Sequence, residues 1–148
     1  LSLRRQRQMC IRDRAIGLGI KACLSGYKVF FATVPLFITQ LKELRSTKSL
    51  RSFQSKLEKY DLVILDEFGY ISSDKEGAEL LFTNLSIRTG RKSTIITTNL
   101  SFDRWGEVFT DPVMAAAMTD RITYKSYMVD MNGESYRMKE TKKWLKES

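Results

Sequence analysis

Four apolar residues, Leu62-Val-Ile-Leu65, run straight into two carboxylates, Asp66 and Glu67. A continuous apolar run suits a parallel strand buried on both faces, and such a strand delivers the two acids at its C-terminal tip. In open α/β sheets ligands bind at that edge. A carboxylate there can hold Mg²⁺ through water, because Mg²⁺ prefers oxygen ligands and keeps its hydration. A second carboxylate beside it can polarise a water that attacks a phosphate. This is the Walker B pattern of nucleotide hydrolases, with Asp66 on the metal and Glu67 as the base. The same residues could also end a strand in a solvated acidic turn. Asn99 closes the next β-branched stretch, Ser93–Thr98, and stands 33 residues after Asp66. A polar side chain at that tip can hydrogen-bond a γ-phosphate or the attacking water, the role called sensor 1. Asn is equally a common turn residue.

Composition removes other chemistries. There are no histidines, so Ser-His-Asp hydrolysis, Cys-His proteolysis and His-ligated zinc are excluded. The two cysteines, Cys10 and Cys23, form no CxxC pair, which points to a reducing, cytoplasmic setting. In 148 residues, 43% are hydrophobic and 11% aromatic, which suits one folded domain and argues against disorder. No run of ~18 apolar residues is present, so no membrane span is expected. Nor does an apolar stretch follow the first arginines as in a secretory signal. The net charge is +8, of which +4 falls in Leu1–Arg14 and +4 in the rest. A basic surface favours nucleic acid through counterion release, though a mildly basic body does not establish it.

The elements that must position the acids follow from periodicity. Ile16, Ile20 and Cys23 predict a helix over about 13–25, stopped by Gly26. A strand is expected over about 27–33, then a helix opening near Pro35 with Leu36, Phe37, Leu41 and Leu44 as its stripe. A short helix over 50–59 turns Phe53 and Leu57 inward, and the acidic strand covers about 61–66. Beyond it come a helix over 75–88, a strand over 93–98, a short helix capped by Ser101 and a helix from Pro112 to about Ile122. A last strand at 127–131 and a polar helix over 139–146 complete the chain. Alternating strands and helices mean α/β with a mainly parallel sheet.

Several segments occur in a telling order: Gly26-Tyr-Lys-Val, Tyr60-Asp-Leu-Val-Ile-Leu-Asp-Glu-Phe-Gly-Tyr70, Lys75-Glu-Gly-Ala-Glu-Leu-Leu-Phe82, Thr97-Thr-Asn-Leu100, Trp105-Gly-Glu-Val-Phe109, Asp120-Arg121 and Gly133-Glu-Ser-Tyr-Arg137. From Ala15 to about Glu140 the chain resembles the IstB-like ATP-binding proteins, helpers of insertion-sequence transposases. These are AAA+ ATPases related to the DnaC helicase loaders. The resemblance implies a P-loop NTPase-type parallel sheet flanked by helices, ATP and Mg²⁺ as cofactors, and ATP hydrolysis in the intact protein. It also implies DNA and a transposase as partners, and assembly into a homo-oligomer when ATP is bound. Arg121 matches the family's arginine finger, which reaches the γ-phosphate held by a neighbouring subunit. It could otherwise be an ion pair with Asp120 or an exposed charge. Arg137 resembles the family's sensor 2-like arginine, on the cofactor-binding side with Asp66. Tyr124 stands where the family often has His.

The family's phosphate loop, G-x-x-x-x-G-K-[ST], should lie directly before Ala15. Its backbone N–H groups cradle phosphates, its Lys neutralises them and its Ser or Thr ligates Mg²⁺. That stretch here is Arg5-Gln-Arg-Gln-Met-Cys-Ile-Arg12, without glycine, with Ile11 in the place of the Lys and Arg12 in the place of the Ser or Thr. The strand that precedes the loop is missing as well, so a strand at 127–131 should stand apart from 93–98 by one vacant place. Gly17-Leu-Gly19-Ile-Lys-Ala22 mimics a dinucleotide fingerprint but lacks the strand that must precede one. Residues 1–14 are therefore expected to be a non-family segment, an artefact of translated adapter sequence or a basic arm on DNA phosphates, and 15–148 a partial ATP-binding domain. Three readings stay open: an ATPase that helps transposition, carried here without its phosphate loop and inactive alone; a DnaC-like helicase loader; and a degenerate, non-catalytic DNA-binding module.

Overall fold

The computed structural model describes residues 3–69, 73–109, 111–131 and 136–147, with backbone alone at 3–9, 102, 136–139 and 147. Three parallel strands form its centre: β1 (Val29–Thr33), β2 (Leu62–Phe68) and β3 (Ser93–Thr98), in the order β1-β2-β3. The acidic strand is thus the middle one. Thr33 pairs with Asp66 and Leu65 with Ile96, so all three strands end on one edge. The contiguous parallel sheet expected from the sequence is present.

Helices cover both faces of this sheet. α1 runs over Leu3–Leu24, α2 over Val34–Ser46, α3 over Leu50–Lys59 and α4 over Lys75–Arg88. After β3 come a 3₁₀ turn at Phe102–Glu107, α5 (Pro112–Thr123) and α6 (Tyr136–Glu147). Side chains alternate along β2 and sort themselves between the two layers. Val63 and Leu65 enter one core with Phe37 and Leu41 of α2, Leu57 of α3 and Leu81 of α4, all at 2% exposure or less. Ile64 and Asp66 face the other layer, where α1 lies. Gly19 of α1 approaches so closely that a Cβ there would sit 2.8 Å from Ile64 Cδ1.

Local chemistry sets the ends. α1 stops in a two-bond cap: the Gly26 N–H donates to Cys23 O and the Tyr27 N–H to Ala22 O, each at 3.0 Å, with Gly26 at φ +86°. α4 starts where the Asp74 side chain accepts the Gly77 N–H at 3.0 Å. Pro35 and Pro112 lie in the first turns of α2 and α5, where a missing N–H costs nothing.

Two expectations need correction. The helix expected from residue 13 begins at Leu3 and crosses the Arg14–Ala15 boundary without a break. Arg and Gln are good helix formers, and nothing from Leu3 to Cys10 is Gly, Pro or β-branched. Residues 127–131 carry strand-like side chains but form no strand. A strand needs a partner for its backbone groups, and among the described residues no strand pairs with this segment, whose Tyr127 is 99% exposed.

Candidate functional site

β2 does not stop at its acids. Between the pairs Leu65–Ile96 and Phe68–Thr98 it carries one residue more than β3, a bulge that centres on Glu67. Glu67 takes φ +64°, a left-handed backbone uncommon for a residue with a side chain. The bulge lets Asp66 and Phe68 both turn into buried surroundings while Glu67 stays half-buried. Phe68 then anchors the edge against Trp105, with ring centroids 4.5 Å apart.

Asp66 is fully buried. Its Oδ1 accepts the hydroxyl of Thr97. The same Thr97 oxygen accepts the Glu67 N–H at 3.2 Å. Its Oδ2 accepts Nε of Arg12, whose Nη2 donates to Glu67 Oε1. One guanidinium therefore bridges both acids. Burial works against the charge of Arg12, but its hydrogen bond to Asp66 and the fields of both carboxylates outweigh it and hold its pKa above the ordinary value. Arg12, Ala15 and Gly19 share one face of α1, and the two small residues bring that face down onto β2.

Asn99 follows β3 directly, at the same edge, and its Oδ1 is buried without a hydrogen-bond partner. Thr98 secures the tip by donating its hydroxyl to Phe68 O at 2.8 Å and accepting the Leu100 N–H at 3.1 Å. Arg121 lies apart from the acids: it is exposed in α5, with its guanidinium 5.1 Å above the ring of Phe82. No ion pair joins it to Asp120 among the described contacts. Arg137 falls in α6, and its side chain lies outside the described residues, as does Gly133–Ser135. The structure thus brings together Asp66, Glu67 and the tip carrying Asn99. It adds Thr97 and Arg12, which sequence reasoning did not place at the site. For Thr97 the available signal was its β-branched neighbour pair before Asn99. For Arg12 it was the helical spacing to Ala15 and Gly19.

An open α/β sheet with carboxylates and an amide on adjacent strand tips is the P-loop NTPase type of fold, here in its AAA+ form. The chain belongs to the IstB-like ATP binding protein family, whose model matches residues 13–144. It is 38% identical over 129 residues to an insertion sequence IS21 protein of Pseudomonas aeruginosa named for ATP binding, covering 87% of this chain and 49% of that one. A similarly named IS232 protein of Bacillus thuringiensis is 36% identical over 126 residues, covering 85% and 50%. The chain thus spans about half the length of the curated relatives it matches. Among solved structures it resembles the replication initiator DnaA bound to AMPPCP and single-stranded DNA, at TM-score 0.66 and 18% identity, covering 87% of this chain and 39% of that one. The AMPPCP-bound DnaA of Aquifex aeolicus gives TM-score 0.64 at the same identity and coverage. At that identity the likeness shows the fold alone.

The family implies Mg²⁺ and ATP, and the residues present can be tested against that pair. Asn99 offers an unused buried acceptor of the kind a bound water would meet. The other requirements fail. Residues 5–12 are helix, so their N–H groups beyond the first turn serve helical bonds and cannot cradle phosphates. Asp66 Oδ2 and Glu67 Oε1 are taken by Arg12. Among the described residues no group of three or more metal-type ligands exists. This chain by itself does not fit Mg²⁺·ATP.

Proposed function

We propose that this chain carries the acid and sensor half of an ATP-dependent DNA-transposition helper, whose phosphate cradle these residues do not supply. In that assignment Asp66 is the metal-side acid, Glu67 the water-polarising base and Asn99 the sensor. Arg121 is the finger offered to a neighbouring subunit, and Arg137 the second sensor arginine. DNA, a transposase and further copies of the chain are the partners. One observation carries the reading: two carboxylates and a partnerless buried amide oxygen stand on adjacent tips of one parallel sheet. The names of the relatives, all drawn from insertion sequences, favour transposition over helicase loading. No helix among the described residues is long and apolar enough to cross a membrane.

A second reading, a DNA-binding module without catalysis, draws on the helical residues 5–12 and the Arg12 bridge. Calorimetry separates the two. The 148-residue chain should show no micromolar affinity for ATP. A version in which residues 1–14 are replaced by the corresponding strand and phosphate loop of the Pseudomonas aeruginosa relative should bind Mg²⁺·ATP. It should lose the hydrolysis of ATP on Glu67→Gln. A loop-completed chain that stays inert to ATP supports the second reading and defeats the first.

A further inference from the structure

We propose that Arg12 is a built-in cation that holds the Asp66–Glu67 pair closed in the place of a divalent metal, an inference that rests on reading these acids as the metal side of a nucleotide site. Asp66 has no exposure at all, and a bare carboxylate at that depth is costly unless something neutralises it. The neutralising group is the Arg12 guanidinium. Nε and Nη2 of one planar fork reach two different carboxylates, and the Thr97 hydroxyl takes the remaining oxygen of Asp66. Three of the four carboxylate oxygens are thereby engaged.

A guanidinium suits this position for reasons of its own. It is charged at every accessible pH, weakly hydrated, and presents donors in fixed directions. A hydrated Mg²⁺ would need the same oxygens, directly or through water, at octahedral spacing. The two cations therefore compete for one place. Arg12 has the advantage of being tethered: Gly19 seats its helix against Ile64, two residues from Asp66 on the same strand, and Ala15, between Arg12 and Gly19, is buried. Its side chain keeps one third of its surface exposed, so the plug sits at the rim and not in the core.

Mn²⁺ alone is the probe, followed by electron paramagnetic resonance and by paramagnetic broadening of backbone amides in the 148-residue chain. The wild-type chain should show no saturable Mn²⁺ site near residues 64–68. Arg12→Ala should gain one, at least about tenfold tighter than any wild-type binding, with broadening centred on Asp66. Arg12→Ala combined with Asp66→Asn should lose it again. Arg12→Gln, which keeps most of the stem and a hydrogen-bonding tip without the charge, gives the same comparison if Arg12→Ala does not fold. In the wild-type chain the Arg12 Nε proton should be protected from exchange with water and shift on Asp66→Asn. A wild-type site for Mn²⁺ at Asp66, a folded Arg12 variant with no gain, or a freely exchanging Nε proton each overturns the proposal. None of these results bears on ATP binding by the loop-completed chain, where the broader reading stands or falls.

Discussion

The hydroxyl of Thr97 donates to the buried carboxylate of Asp66 while its oxygen accepts the N–H of the next residue, Glu67, at 3.2 Å. One side chain on β3 therefore fixes both the orientation of the acid and the backbone of the bulge that follows it. Thr97→Val keeps the shape and removes both bonds. It should destabilise the chain by about 1–3 kcal/mol in urea unfolding, because one acceptor and one donor lose their partner in a buried place. Thr97→Ser should recover most of that loss. Equal stability of the valine variant and wild type would show that the hydroxyl does not hold the bulge.

Glu67 sits at φ +64°, and that strain can be separated from the loss of its carboxylate. Glu67→Ala and Glu67→Gly both release Arg12 from one partner, but only glycine accepts the left-handed backbone freely. Glycine should therefore be the more stable of the two by about 1 kcal/mol, against its usual disadvantage in a strand. Thermal unfolding of the pair reads the difference directly. The opposite order would mean that the backbone there is not left-handed.

Arg88 is a buried cation whose main partners are backbone carbonyls. Its Nη1 donates to Leu57 O at 2.6 Å and Tyr60 O at 3.0 Å, and its Nη2 to Ser93 O at 2.9 Å. It ties the end of α4 to the end of α3 and the start of β3. Burial pushes its pKa below the ordinary value, and the field of Asp61 only partly opposes this. Arg88→Met should cost about 2–4 kcal/mol, since these carbonyls lose their donor. Arg88→Lys should restore less than half, because a point charge cannot span the fork's positions.

Acid should weaken the fold through two surface carboxylates. The Lys28 N–H, then Lys92, holds Asp61 below the ordinary carboxyl value of 3.8. Lys42, then the Gly77 N–H, does the same for Asp74. A depressed folded-state pKa gives stability that is present above the unfolded value and disappears as pH falls through the folded one. The midpoint temperature should therefore hold steady from neutral pH and fall below about pH 4. Asp61→Asn and Asp74→Asn should each flatten that fall, and added salt should shrink it. An acid limb unchanged in both variants would assign it to other groups.

Much of this molecule was decided locally. The run Leu62–Leu65 suits a buried strand, the β-branched stretch 93–98 another, and both appear with their acids and amide on one edge. Periodicity placed α4 to the residue, because its cap at Asp74 and its apolar spacing are contained within a few turns. Chain neighbours alone settle such features, so order along the chain is enough to read them. Long-range contacts settled the rest. Tyr127–Met131 has the composition of a strand, yet pairing is a property of two segments, and this one pairs with none of the three described strands. By sequence Arg12 stands only in the place of the loop's Ser or Thr, until the packing of Gly19 on Ile64 carries it to Asp66, 54 residues along the chain. Thr97 reads as strand filler until the extra residue in β2 sets its hydroxyl between the Asp66 carboxylate and the Glu67 N–H. A sequence lists donors and acceptors, but only the packed sheet decides which of them meet, because burial makes an unmet charge too costly to leave.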